Sequence, residues 1–344
     1  FSSLDQYVQD YGFVLDQQGL DENGWALVDG KQRRLLDKIQ AAGIPLSEYV
    51  GGKIYRGIVT GLNKAFVIDE ETKNRLIAED QKSADLIKPF LAGRDVKRYQ
   101  PLTSDKYLLY IPWHFPLQDD NTVKGVSKNA EQSFQSEYPA VYNHLLSYKK
   151  DLSNRNAEET GIRYEWYALQ RYGADYSQEF QKTKIIYQVF QVKPCFVYDS
   201  MGEYYTNNAL WIIPTEDLFL LGLLNSKLGW YQISKHCTKI QNGYQLIFKY
   251  LGNITIHSND SRNTSEDQNH EKIAVYVEKI LALNKQLADS RTTMEKDLIN
   301  RQIDATDRAI DKLVYELYGL TEEEIRIVEG TGIHQTANNM SAIL

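Results

Sequence analysis

The chain lacks several things that would place it in a familiar class. No apolar run in its 344 residues approaches the roughly 20 that a membrane-spanning helix needs. It holds two cysteines, Cys195 and Cys237, too few for a disulfide framework and in keeping with a reducing cytoplasm, which is the expected location. Neither belongs to a Cys-x-x-Cys pair, and adjacent His236 and Cys237 would diverge along a strand, so no metal site is expected. No phosphate-binding P-loop is present, and nothing resembles the turn that presents a nucleophilic serine. The one arrangement suggestive of nuclease chemistry is Asp69-Glu70-Glu71 with Lys73. That string also suits the start of a helix, where carboxylates meet the positive end of the dipole, and capping is the better reading.

What is present is an ordinary globular composition, 42% hydrophobic and 25% charged. The formal net charge of −7 argues at first against a nucleic-acid partner. Its distribution is uneven. Residues 46–257 carry 25 basic and 23 acidic side chains, whereas the flanks carry 14 and 23. The acidity therefore lies outside the middle of the chain. Tyrosine is abundant at 24 residues, many of them beside arginine or lysine. A tyrosine can bond a phosphate through its hydroxyl while its ring packs on a sugar.

The organising stretch runs from Tyr49 to Arg98. A glycine-punctuated apolar strand with Gly51, Gly52, Gly57 and Gly61 leads to a second strand at 65–69, a helix, and the loop Gly93-Arg94-Asp95-Val96-Lys97-Arg98. Glycine allows tight turns and close backbone approach to a partner. The basic residues spaced along it suit phosphates and base edges.

GGKIYRGIVTGLNKAFVID followed by IKPFLAGRDVKRY closely resembles the TaqI-like C-terminal specificity domain of type IIG restriction–modification enzymes. The likeness continues through YLLYIPWHFPL, YPAVYNHLLSYKKDLSNR, GIRYEWYALQR, LLGLLNSKLGWYQI and LVYELYGLTEEEIRIVEG, covering about 46–330. It implies a target-recognition domain that selects double-stranded DNA for a linked N6-adenine methyltransferase, in some members also an endonuclease. The cofactor, S-adenosylmethionine, with Mg²⁺ where cleavage occurs, would then belong to an upstream module. The chain begins at Phe1 without an initiator methionine and is expected to be a piece of that longer polypeptide. None of the eight prolines is followed by another, so the Pro-Pro motif that holds a target amino group is missing. The chain is therefore expected to be noncatalytic.

The element pattern reads as α+β: an irregular, mainly antiparallel sheet with packed helices, then a C-terminal helical hairpin or long helix. Strands are expected at 54–59, 65–69, 107–111, 184–190, 195–198, 204–206, 209–213 and 246–248, and helices at 71–79, 130–151 and 216–234. Asn242-Gly243 signals a hairpin. The expected divisions are a lead-in over 1–45, with a helix at 31–42 capped by Asp29, and a recognition domain over 46–257. A polar linker at 258–268 opens a helical spacer to 330, and a disordered tail follows.

Arg and Lys can bond guanine, and Asn and Gln can bond adenine. The candidate DNA-binding residues are Lys53, Arg56, Lys64, Arg94, Lys97, Arg98, Arg163, Gln170, Arg171, Lys235, Lys239, Gln241 and Asn242. Any one of them is as well read as a solvated charge; the clustering carries the hypothesis. The rival reading is a protein-interaction or assembly module of a restriction–modification or phage-defence complex, docking through its acidic helical end.

Overall fold

A computed structural model describes residues 30–258 and 264–330, with positions 3, 5, 6, 8 and 12. Asp29, the segment 259–263 and the tail after 330 lie outside the described residues. In chain order, the helices longer than one turn are α1 (Gly30–Ala41), α2 (Glu70–Glu79), α3 (Lys128–Glu137), α4 (Pro139–Leu146), α5 (Lys149–Asn154), α6 (Leu218–Asn225), α7 (Lys227–His236), α8 (Thr264–Asp289), α9 (Thr293–Leu317) and α10 (Glu322–Val328). The strands are β1 (Gly43–Pro45), β2 (Tyr55–Arg56), β3 (Val67–Asp69), β4 (Ile87–Leu91), β5 (Lys106–Leu109), β6 (Lys184–Gln188), β7 (Phe190–Gln191), β8 (Phe196–Asp199), β9 (Tyr205–Thr206), β10 (Leu210–Pro214), β11 (Thr238–Ile240), β12 (Gly243–Gln245) and β13 (Thr255–His257). The chain forms two compact units. One is residues 53–189 with 195–216; the other is 1–52, 190–194 and 217–344. The division runs inside the segment 46–257 that the sequence presents as one domain.

The first of these, the sheet unit, contains two four-stranded sheets, β2–β10–β6–β8 and β3–β5–β4–β9. All pairings are antiparallel except β4 with β9. A single stretch, Tyr205 to Pro214, leaves one sheet as β9 and enters the other as β10. The core between these layers is built from Phe66, Leu76, Phe90, Leu91, Leu108, Phe134, Leu145, Tyr167, Ile186 and Val197, all buried. Phe134 of α3 meets Tyr167, Phe115 and Tyr142 at ring separations of 4.7, 5.4 and 5.6 Å. Burying one such side chain is worth about 1.5–3 kcal/mol, so this cluster fastens α3 and α4 to the sheet. Asp69 accepts from the Thr72 amide at 2.8 Å and caps α2, so its carboxylate serves the helix start.

The helical unit holds a two-stranded pair, β1–β13, and a three-stranded sheet, β11–β12–β7. Its centre is α6, apolar on every side and buried from Phe219 to Asn225. Gly222 is where α8 crosses it: a Cβ at that position would lie 2.9 Å from both Ile273 and Val277. Asp217 caps α6 through the Leu220 amide, and its second oxygen accepts from the Tyr49 hydroxyl at 2.6 Å. Helices α8 and α9 form the expected hairpin, joined at 290–292, with Thr292 and Glu295 making a reciprocal cap.

Several local expectations change. Residues 63–66 form a helical turn before β3, because Ala65 and Phe66 both point into the core. The helix expected over 130–151 is three helices, broken at Pro139 and at Ser147-Tyr148, and that over 216–234 is two, with Ser226 capping the second. Residues 246–248 are not a strand; the pairing lies earlier, at 238–240 with 243–245. The hairpin turn is Gln241-Asn242, with Gln241 in the left-handed region, and Gly243 sits in the strand. A side chain there would strike the Gln191 carbonyl and the Phe190 ring. Helix α8 begins at Thr264, inside the expected linker. No helix among the described residues is long and apolar enough to cross a membrane.

Candidate nucleic-acid interface

In the sheet unit, backbone pairing draws three separate stretches of candidate residues side by side. Val59 and Arg171 exchange both amide bonds at 2.9 Å. Ile58 and Gly57 donate to Thr206 and Leu210, and Asn207 donates to Leu91. Gln188 closes the row by donating to the Gly93 carbonyl. Segments 57–61, 91–95 and 168–171 thus lie within a few strand widths of one another, each step about 4.8 Å. Gly61 makes the closest approach possible. It adopts φ +76°, and a Cβ would lie 2.8 Å from the Gln170 amide oxygen.

The side chains on this row differ in what they are held by. Arg94 is 80% exposed, with its Nε 3.9 Å from Asp95. Asp95 spends its other oxygen on the Ala92 amide at 2.7 Å, which fixes the turn. Lys97 is exposed, while Arg98 is half-buried with its guanidinium 4.7 Å from the Tyr99 ring. Lys53 and Arg56 are exposed, the latter on β2 opposite Trp211. Lys64 is paired with Asp151 at 2.5 Å.

Arg163 and Arg171 are not independent cations. Both grip Glu159: Arg163 at 2.9 Å, and Arg171 with one nitrogen 2.7 and 2.9 Å from the two oxygens. Asn156 adds a third donor at 2.7 Å. The Arg171 hydrogen bonds hold the Glu159 carboxyl below its ordinary range, and the same bonds raise Arg171. Both guanidiniums also lie over the Trp113 ring, at 5.4 and 5.9 Å, and Tyr164 stacks on that ring at 4.8 Å. The remainder of the stretch faces inward. Tyr164, Glu165, Trp166 and Tyr167 are buried, and the Glu165 carboxylate accepts from the amides of His114 and Ser127 at 2.8 and 2.9 Å.

Arg155 escaped the reading of the sequence. Its guanidinium lies inside the sheet unit and donates to the carbonyls of Thr60, Trp166 and Ala168, with Phe66 and Tyr164 rings on its flanks. Burial pushes it down to about 10. It ties segment 60–61 to segment 166–168 and so holds the row together. Nothing in a lone arginine after Ser-Asn distinguishes such a clamp from a surface charge.

In the helical unit, Lys235 donates to the Gln32 side chain at 2.7 Å and lies 5.1 Å from the Tyr231 ring. Lys239, Gln241 and Asn242 are exposed on β11 and its turn. Burial lowers His236 and raises the Cys237 thiol to about 12, which leaves that cysteine unreactive near neutrality. Among the described residues no group of three or more His, Cys, Asp and Glu side chains is arranged to hold a metal.

Residues 88–256 match the family model of the TaqI-like C-terminal specificity domain. A 180-residue stretch of the chain is 29% identical to the type II methyltransferase M.MjaIV of Methanocaldococcus jannaschii, covering 51% of this chain and 54% of that protein. The chain thus spans about half the length of this curated relative. The fold is similar to that of the type IIL restriction–modification enzyme MmeI, solved in complex with DNA, with TM-score 0.50 and 14% identity over 85% of this chain and 36% of MmeI. The type IIG restriction endonuclease BpuSI matches at TM-score 0.42 and 13% identity, over 86% of this chain and 34% of its own. The matched stretch includes both Arg94 and the β11–β12 hairpin, and so draws on both compact units.

Proposed function

We propose that the chain selects a double-stranded DNA sequence for a linked N6-adenine methyltransferase and is noncatalytic in itself. The observation that carries the proposal is the row in the sheet unit. A specificity domain that sets outward-facing Arg94, Lys97 and Arg56 beside a glycine-lined backbone offers donors to phosphates and base edges on one rigid support. Lys53, Arg98, Gln170 and the Glu159-held pair Arg163 and Arg171 flank it; Lys64, Lys235, Lys239, Gln241 and Asn242 supply further contacts. S-adenosylmethionine, and Mg²⁺ where the parent cuts, belong to the upstream methyltransferase or nuclease module of the same polypeptide. The site of action is the cytoplasm, where the DNA is.

The weak positive balance of residues 46–257 implies modest affinity for the chain alone, with the catalytic module adding phosphate contacts. The test is to map methylated bases in DNA from cells expressing the parent protein. A single methylated motif is expected, with Arg94→Ala lowering its occupancy while the fold is retained. An unchanged motif at full occupancy in Arg94→Ala and Arg56→Ala together would remove this row from the interface. The assembly-module alternative has one observation in its favour: Met294 and Leu298 of α9 are 83% and 58% exposed near the hairpin tip. It predicts salt-insensitive capture of a protein partner through residues 270–318.

A further inference from the structure

The three-stranded sheet of the helical unit carries an outer face that the candidate residues leave unexplained. Directly opposed residues of an antiparallel pair share a face. By register, Thr238, Gln245 and Phe190 form one row, with Ile240 and Gly243 beside it. The other face carries Lys239, Tyr244 and Gln191, where Tyr244 packs edge-on to Trp230 and Gln191 is buried. The inner face is thus occupied at Tyr244 and Gln191, with Lys239 exposed at its edge, and the outer one is partly open to solvent, Gln245 being half-buried and Gly243 buried. Phe190 is 38% exposed, Ile240 39%, and Val192, just past the strand, 51%. All three residues of β11 are exposed, so the sheet ends in an uncovered edge. Gly243 is required at the centre because the Phe190 ring lies where its Cβ would be.

The charge around this face selects its occupant. The sheet comes from two stretches without a single carboxylate, one between Glu179 and Asp199 and the other between Asp217 and Asp260. Of the seven lysines they hold, Lys182, Lys184 and Lys227 are paired with Glu179, Asp199 and Glu329, while Lys193, Lys239 and Lys249 are exposed. Lys193 and Lys239, both exposed, lie within or beside the sheet itself. An apolar protein partner would need no such clearing of acids over so long a run; a polyanion would. A two-stranded β-ribbon fits the major groove of B-form DNA, and the outer-face chemistry matches what an A·T pair displays there. Gln245 offers the amide that bonds adenine N6 and N7, and Phe190, Ile240 and the Thr238 methyl suit the thymine methyl.

We propose that the outer face of the β11–β12–β7 sheet reads A·T base pairs in the major groove, with Gln245 on adenine and Phe190 and Ile240 on thymine methyls. The proposal rests on the reading of the chain as a DNA-recognition domain and names the base pairs that one part of it specifies.

The test uses the full 344-residue chain and a random-sequence duplex pool, from which bound duplexes are selected and their common motif found. Binding of that motif is then measured for wild type, Phe190→Ala, Ile240→Ala and Gln245→Ala, first with thymine and then with deoxyuridine, which lacks the methyl. Phe190 and Ile240 are exposed and Gln245 is half-buried, so wild-type circular dichroism and melting are required of each variant before its binding is compared. Wild type is expected to lose about three- to tenfold in affinity on the uracil duplex, and Phe190→Ala or Ile240→Ala a similar factor on the thymine duplex. The two losses should not add, and the salt slope should be unchanged, since no phosphate contact is removed. Variants that bind the selected motif like wild type would overturn the proposal and leave DNA recognition standing. A wild-type chain that enriches no motif would overturn DNA recognition itself, and the proposal with it. Loss of self-association without change in DNA binding would assign the face to a second copy of the chain and likewise overturn it.

Discussion

Asp199→Ala should open the sheet unit, because it strands a buried lysine. Lys184 on β6 is fully buried and Asp199, its register partner on β8, is 3% exposed; their charged atoms are 2.5 Å apart. Lys184 also donates to the Phe180 and Lys182 carbonyls, and the two Asp199 oxygens accept the Glu203 and Tyr204 amides. Every partner is thus engaged, and the pair fixes both the register of β6 with β8 and the turn after β8. Removing one member of a buried pair costs about 3–5 kcal/mol, since the other charge stays desolvated without compensation. The two amides left unpaired contribute to that loss, about 1–3 kcal/mol each where they remain shielded from water. Adding Lys184→Met to Asp199→Ala removes the stranded charge and not the amide penalty. The double variant should therefore recover part of the loss, roughly 2 kcal/mol, and not all of it.

The pH dependence gives an independent reading. Burial holds the Lys184 ammonium below its ordinary value even with Asp199 present, and without the carboxylate it must fall further. Between that lowered value and the unfolded value of about 10.4, the unfolded chain binds more protons than the folded one. Stability then rises with pH across this window, and the penalty vanishes above it. The deficit of Asp199→Ala should accordingly be largest near neutrality and shrink toward pH 10. Hydrogen exchange of a peptide spanning 184–199 measures opening of the sheet unit without requiring the two units to unfold together. A loss below about 1 kcal/mol, or the same loss with Met at position 184, would refute the argument.

Glu159→Gln should release Arg163 and Arg171 toward phosphates. Affinity for nonspecific duplex is expected to rise several-fold, with the slope of log K against log salt steepening by about 0.9 for each phosphate gained. An unchanged slope in a fluorescence titration would show that these arginines only support the loop. Gly222→Ala should destabilise the helical unit by about 1–3 kcal/mol, because the added methyl meets Ile273 and Val277 at 2.9 Å within a filled core. Thermal melting would show it, and an unchanged transition would mean that α8 moves aside without cost. Thr292→Ala should cost about 1 kcal/mol at the start of α9 and speed exchange of its first-turn amides, leaving α6 and α7 untouched.

Much of the secondary structure was legible because it follows from local signals. Leu35, Leu36 and Ile39 mark one face of α1, and the Thr321–Glu324 box starts α10 where those residues occur. Interruptions were less visible. Ser226 caps α7 although a continuous apolar pattern passes over it, since that run is buried on all sides and carries no period. Strand β4 was missed because Lys88-Pro89 reads as an approach to a loop; its partners, β5 on one side and β9 on the other, lie at a sequence distance that no local window spans.

The site divides along the same line. Residue types that suit DNA, and the stretches that carry them, can be read one position at a time, and the family match adds that those within 88–256 lie in a stretch similar to a specificity domain. How firmly a given arginine is held depends on the acceptors that the fold brings to it. Arg94 and Arg171 are equivalent as letters. Arg94 is 80% exposed and only 3.9 Å from Asp95, whose other oxygen takes the Ala92 amide, whereas Arg171 is held at 2.7 Å by Glu159, twelve positions away. The half-buried Arg155 shows this too, since three carbonyls, and no carboxylate, fix its place. Substituting arginines one by one would consequently mix two effects, lost DNA contact and lost loop geometry. Glu159→Gln separates them, because it leaves both arginines in place and changes only what holds them.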